Sequence, residues 1–128
     1  MALVTGAGRR LGRALAGALA GRGMRLAIHH HSSSAGAAEL RDEVVAAGGE
    51  ARCFAADLTD AYAARELPRQ VAASYGRLDV LVNSAAVMHR LDFEHTTPEQ
   101  WDGILDLNLR SVFFCCQGAA PALREARG

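Results

Sequence analysis

Eight residues near the start of the chain, Thr5-Gly6-Ala7-Gly8-Arg9-Arg10-Leu11-Gly12, restrict its fold more than any other stretch. They follow an apolar stub, Ala2-Leu3-Val4, and run into Arg13-Ala14-Leu15-Ala16-Gly17-Ala18-Leu19-Ala20. The pattern is strand, glycine-bearing turn, helix. Glycine is required where a Cβ would block a tight turn or hold a pyrophosphate at a distance. A turn of this kind offers bare backbone N–H groups and a helix N-terminus to a phosphate. Taken alone, such glycines fit an ordinary strand-to-helix connection equally well, so the rest of the chain has to decide.

Strand and helix patterns alternate from there onward. Residues 24–29 read as a second strand, set off by Gly21 and Gly23. Ser33 and Ser34 can cap a helix over about 35–47, which Gly48-Gly49 ends. Residues 51–56 form a third strand, and Asp60 caps a third helix reaching Tyr75 and stopped by Gly76. Pro68 lies inside that helix, where it removes a donor and clashes with the preceding turn, so a kink or short break is expected. Leu78-Asp79-Val80-Leu81-Val82 is the most apolar strand and fits the middle of a parallel sheet. A loop over about 83–96 leads to Thr97-Pro98-Glu99-Gln100, a capping box with proline at the first helical position. One long helix then extends to about Arg124. The alternation predicts an α/β fold, a Rossmann-type doubly wound parallel sheet with right-handed crossovers, in a single domain over 1–128.

Charge excludes some functions. Fourteen arginines balance fourteen carboxylates and there is no lysine, so nothing favours nucleic acid or a polyanionic partner. Cys53, Cys115 and Cys116 are an odd set without metal or redox spacing, which predicts buried free thiols in a reducing compartment. Neither a leader pattern nor an apolar run of spanning length is present, and a cytoplasmic protein without a membrane partner is the expectation. His29, His30 and His31 sit on a strand, where successive side chains alternate faces; they cannot converge on one ion, and no metal is expected.

Four motifs in order resemble those of the short-chain dehydrogenase/reductase family. Thr5-Gly6…Gly12 is similar to its T-G-x-x-x-G-x-G turn, with Arg10 in place of the middle glycine. Asp57-Leu58 resembles its D-[VL] pair beside the adenine ring. Residues 78–86 resemble L-D-x-L-V-N-N-A-G, with Ser84 and Ala86 replacing the second asparagine and the glycine. Asn108 matches the helix asparagine of the catalytic tetrad. The turn, with its Arg10-Leu11-Gly12-Arg13 run, and the His29-His30-His31-Ser32-Ser33 stretch are closest to the pteridine-reductase-like and 3-oxoacyl-reductase-like branches.

The resemblance implies a nicotinamide dinucleotide, and the residues select between its two forms. An NAD site carries a carboxylate after the second strand for the ribose 2′-OH. No Asp or Glu occurs from Met24 to Ala38; His31, Ser32 and Ser33 stand there, with Arg10 in the facing turn. Hydroxyls, imidazole and guanidinium suit a 2′-phosphate, so NADP(H) is the expected cofactor, unless Arg10 is merely solvated. Gly6, Arg10, Leu11 and Gly12 would meet the phosphates. Asp57 would accept from the adenine amino group or cap its own turn, beside Leu58. Asn83 and Ala85 would line the ribose and nicotinamide side. Asn108 is expected to be a polar group on an apolar face, holding a proton-relay water as the resemblance implies or satisfying local backbone.

The family's serine and Y-x-x-x-K pair are not among these residues. Tyr62 and Tyr75 both fall in the third helix, and neither has a lysine partner. Two readings follow. In one, the chain is the N-terminal half of an NADP-dependent oxidoreductase acting on a small carbonyl or alcohol, truncated after about four strands and the long fourth helix. In the other, it is a non-catalytic dinucleotide-binding or interaction module. Both predict no turnover from these residues alone. An open sheet edge and apolar positions on the long helix predict self-association, and the resemblance implies a homo-oligomer.

Overall fold

The computed structural model describes residues 1–128. Strands β1 (Ala2–Val4), β2 (Leu26–His30), β3 (Ala51–Ala55) and β4 (Val80–Val82) form one parallel sheet in the order β3-β2-β1-β4. The register pairs Val4 with Ile28 on one side and with Val82 on the other. Helices α1 (Arg10–Ala20) and α2 (Ser34–Ala46) follow β1 and β2, and α3 (Ala61–Tyr75) follows β3. After β4 come α4 (Pro98–Leu105), a π-helical segment (Asp106–Arg110) and α5 (Ser111–Ala126).

The period of two along β1 and β2 builds two apolar layers, since alternate side chains leave opposite faces of a sheet. Ala2, Val4, Leu26 and Ile28 join Ala16 of α1 and Ala37, Leu40 and Val44 of α2 in one layer. Leu3 and Ala27 face the other way, against Leu67 and Val71 of α3 and Cys115 and Ala119 of α5. Both layers are shut off from solvent, so the doubly wound α/β arrangement read from the alternation is the one observed.

Four expectations need correcting. First, α3 continues through Pro68 without a break. Its ring is buried at the α3–α5 contact, near the position a Cβ on Gly118 would occupy, so packing offsets the missing donor. Second, β4, whose apolar run fits the middle of a sheet, pairs only with β1 here and is half-buried, leaving the open edge also expected. Third, the long helix is three segments, because five residues take π-helical bonding. Fourth, only Cys115 among the thiols is buried; Cys53 is half-buried and Cys116 is exposed. Burial pushes the Cys115 thiol up to about 11. Asp60 accepts from the Tyr62 N–H at 2.8 Å, Gly76 ends α3 at φ 75°, and both bonds of the Thr97–Gln100 capping box form as read, whereas Ser33 stands at the N-cap of α2 without making the expected capping bond.

Candidate functional site

The strand order reverses direction at β1, which has β2 and β3 on one side and β4 on the other. Loops leaving β1 and β4 therefore diverge, and a crevice opens beyond the strand ends. Its volume is about 430 Å³. Gly6, Arg10, Leu11, Gly12, His31, Ser32, Ser33, Asp57, Leu58 and Ala85, all singled out in the sequence, line it. Leu107 closes one wall.

The turn after β1 is held from beneath. Gly6 takes φ 64°, and a Cβ there would press on the Ala85 backbone at 2.7 Å. Arg10 takes φ 51°, a left-handed conformation that costs a side-chain-bearing residue about 1–2 kcal/mol. That explains why a glycine would suit this position. Helix α1 starts without a side-chain cap and with no acidic residue in its first turn. Its leading N–H groups thus have no side-chain partner, and the positive end of the helix dipole faces the crevice.

His29 is the least expected member of the site. It is 2% exposed and lies on β2 beneath the turn. Its Nδ1 accepts from the Gly6 N–H at 3.1 Å, and its carbonyl accepts from the Ala7 N–H at 2.9 Å. Nε2 lies 3.1 Å from the Ala56 carbonyl oxygen. An acceptor at Nδ1 and a donor at Nε2 define one neutral tautomer. Burial is the main reason its pKa falls to about 4, with smaller contributions from His30 and His31 opposed by the Ala56 bond. Thr5 does similar work towards β4: its Oγ1 accepts from the N–H groups of Ser84 and Ala85, at 2.9 and 3.0 Å.

On the rim, His31 and Ser32 are exposed and Ser33 is half-covered. Arg9 and Arg10 face them across the turn, both exposed. Asp57 caps its own turn, accepting from the Thr59 N–H at 2.9 Å and hydroxyl at 2.7 Å. Those two bonds hold its carboxyl below the usual range.

Asn83 departs from its expected place. It sits on the other side of β4, where its Nδ2 donates to the Cys116 sulfur at 3.4 Å. It is exposed and does not line the crevice. Asn108 is exposed as well, not an amide buried on an apolar face. It lies in the π-helical segment, where its side chain clasps the Val87 backbone: Oδ1 accepts from the N–H at 2.9 Å and Nδ2 donates to the carbonyl at 2.7 Å. Two residues on, Arg110 donates to the Thr59 carbonyl at 2.8 Å. One segment thereby ties down two loops of the crevice.

A family profile described as short chain dehydrogenase matches residues 1–128. The chain belongs to the short-chain dehydrogenase family. An uncharacterized oxidoreductase of Methylorubrum extorquens is 38% identical over 125 residues, covering 98% of this chain and 50% of that protein. A 3-oxoacyl-acyl-carrier-protein reductase of Staphylococcus aureus is 34% identical over 126 residues, with 98% and 51% covered. A short chain dehydrogenase from Burkholderia cenocepacia, solved in complex with NADP, superposes with a TM-score of 0.92 at 35% identity over 95% of this chain and 50% of its own. The chain spans about half the length of the curated relatives it matches.

For a short-chain dehydrogenase, the family turn accounts for Gly6 and Gly12 but not for every residue that shapes the crevice. Gly8 and Gly36 bring α2 onto the turn: a Cβ on Gly8 would overlap Ser33, and one on Gly36 would overlap the Gly8 carbonyl. Nothing in the spacing marks them, because their partners lie on another element. His29 carried a faint signal, a polar side chain at the end of an otherwise apolar strand. Among His, Cys, Asp and Glu, no three side chains gather where they could hold a metal ion.

Proposed function

We propose that these residues are the dinucleotide-binding part of an NADP(H)-dependent short-chain oxidoreductase acting on a carbonyl/alcohol pair. One observation carries the reading: the uncapped start of α1 opens into a crevice whose far rim is built from His31, Ser32 and Ser33, a segment after β2 with no carboxylate of its own. The donor set fits the group. Leu11 and Gly12 would meet the diphosphate with backbone N–H, and the Arg10 guanidinium with the rim hydroxyls would meet a 2′-phosphate. Leu58 offers an apolar wall to the adenine, with Asp57 beside it. Ala85 lies at the nicotinamide end. When bound, the cofactor supplies a hydride donor or acceptor.

What the chain itself does is bind and orient. Asn108 keeps the Val87 loop at a fixed depth, and through it the wall near Ala85. Asn83 has no place in this account, since it faces away from the crevice. The S. aureus 3-oxoacyl reductase and the NADP-complexed B. cenocepacia protein support this reading of the complete activity.

These residues hold no group suited to the proton transfer, which is equally what a non-catalytic binding module would show. The two tyrosines are unsuited to proton transfer here. Tyr75 donates its hydroxyl to the Leu26 carbonyl, and burial pushes it up to about 12. Tyr62 is exposed on α3 and does not line the crevice. With no lysine present, we predict no turnover from these 128 residues.

Fluorescence titration with NADPH and NADH tests the proposal. Tighter binding of NADPH supports it; equal or reversed affinities remove the 2′-phosphate reading, and no binding of either removes the site. Ketone reduction by this lysine-free chain would contradict the predicted inactivity.

A further inference from the structure

We propose that Arg13, which does not line the crevice, sets the preference between NADPH and NADH by holding the first turn of α2 against the glycine turn. The proposal rests on the cofactor reading above. Arg13 leaves α1 away from the crevice and is 27% exposed. Its Nη1 donates to the Gly36 carbonyl at 2.8 Å and to Glu39 Oε2 at 3.3 Å, and its Nη2 donates to Glu43 Oε1 at 2.7 Å. Positions 36, 39 and 43 share one face of α2. A planar fork can grip that face at several points, which a single ammonium cannot.

The grip matters because of what α2 carries. Ser33 is its N-cap residue, yet its side chain makes no capping bond. The rim residues Ser32 and Ser33 are therefore placed by where α2 docks rather than by their own capping. Docking is close: the Gly36 Cα rests on the Gly8 carbonyl, and Gly8 in turn rests on Ser33. The two exposed carboxylates hold the guanidinium weakly. The carbonyl of Gly36, at a half-covered position, is the contact that fixes α2.

The two ends of the crevice depend on Arg13 differently. Backbone N–H groups of α1 form the diphosphate end, and the turn leading to it is braced by His29 and the Ala85 backbone as well as by the contact of Gly8 with α2. The 2′ end, apart from Arg10 of α1, is built from Ser32 and Ser33, which lead directly into α2. Loosening α2 thus weakens a ligand that uses the 2′ end and spares one that does not. A residue of merely structural importance would weaken both together.

The test is titration of Arg13→Met and Arg13→Lys with NADPH and with NADH, beside the unchanged chain. Losing a charge-assisted bond predicts an NADPH affinity about 10-fold lower in Arg13→Met, with NADH changed less than about 2-fold. Arg13→Lys keeps the charge but not the fork, and should lose an intermediate amount of NADPH affinity. If Arg13→Met does not fold, Arg13→Lys alone decides. An unaltered NADPH-to-NADH ratio, or an equal loss of both, overturns the role of Arg13 and leaves the cofactor reading standing. An unchanged chain that binds neither nucleotide overturns the cofactor reading and the role of Arg13 together.

Discussion

His29 shows how a single residue can be visible in a sequence while its work is not. Three successive histidines at a strand end suggest a metal or a cofactor contact, yet the first is sealed beneath the turn as a neutral bracket between Gly6 and Ala56. The alternation of strand side chains separates it from its neighbours; the hydrogen-bond partners come from β1 and β3 and leave no trace in local spacing. Its burial has a consequence for stability. The folded value, about 4, lies below the ordinary 6.5, so the neutral imidazole is favoured by folding. Its contribution is full above about pH 6.5 and is lost as pH falls towards 4, by about 2 kcal/mol between pH 7 and pH 5. Urea unfolding at the two pH values, for the protein and for His29→Gln, checks this: the drop attributable to position 29 should vanish in the variant, and an identical drop in both would refute it. Arg10 is the complementary case. The motif shows a missing glycine, and the backbone at φ 51° shows what the substitution costs.

Among the elements, those with their own punctuation were legible. The capping box of α4, the Asp60 cap of α3 and the Gly76 stop are chemistry local to the sequence, and each is where its residues place it. What escaped depends on neighbours. The π-helical turn has no periodic signature, since five residues in it read like helix on either side; only the bonding pattern and the reach of Asn108 and Arg110 to separate loops distinguish it. Pro68 reads as a breaker until its ring is seen packed at the α3–α5 contact. That contact is tight at Gly118, where a Cβ would collide with the Arg65 carbonyl and meet the Pro68 ring at 3.0 Å. Gly118→Ala should therefore cost about 1–3 kcal/mol despite alanine's better helix propensity. A lower urea midpoint with an unchanged slope is the expected result, and a raised midpoint would show that the helices part freely.

At the scale of the whole molecule, alternation alone specified the parallel sheet. The apolar run of β4 fits a central strand, and the open edge expected beside it is present, since β4 pairs only with β1. The open edge of β4 and the outward apolar side chains of α4, the π-helical segment and α5 have a shared consequence. Trp101, Leu109 and Phe113 are 60%, 63% and 62% exposed, too much apolar surface for an isolated solvated helix pair. Self-association that rises with concentration is predicted, measured by sedimentation velocity; Leu109→Glu with Phe113→Glu should shift the population to smaller species, and a monodisperse monomer at all concentrations would contradict the expectation. The claim on which the rest depends is that a dinucleotide lies across the start of α1 with its 2′ end on the Ser32–Ser33 rim. Backbone amide chemical-shift mapping during NADPH addition tests it most directly. The account predicts the largest shifts at Leu11, Gly12, Ser32 and Ser33, with those at the rim diminished when NADH is added instead. Saturable shifts confined to residues outside the crevice, or none at all, would contradict it.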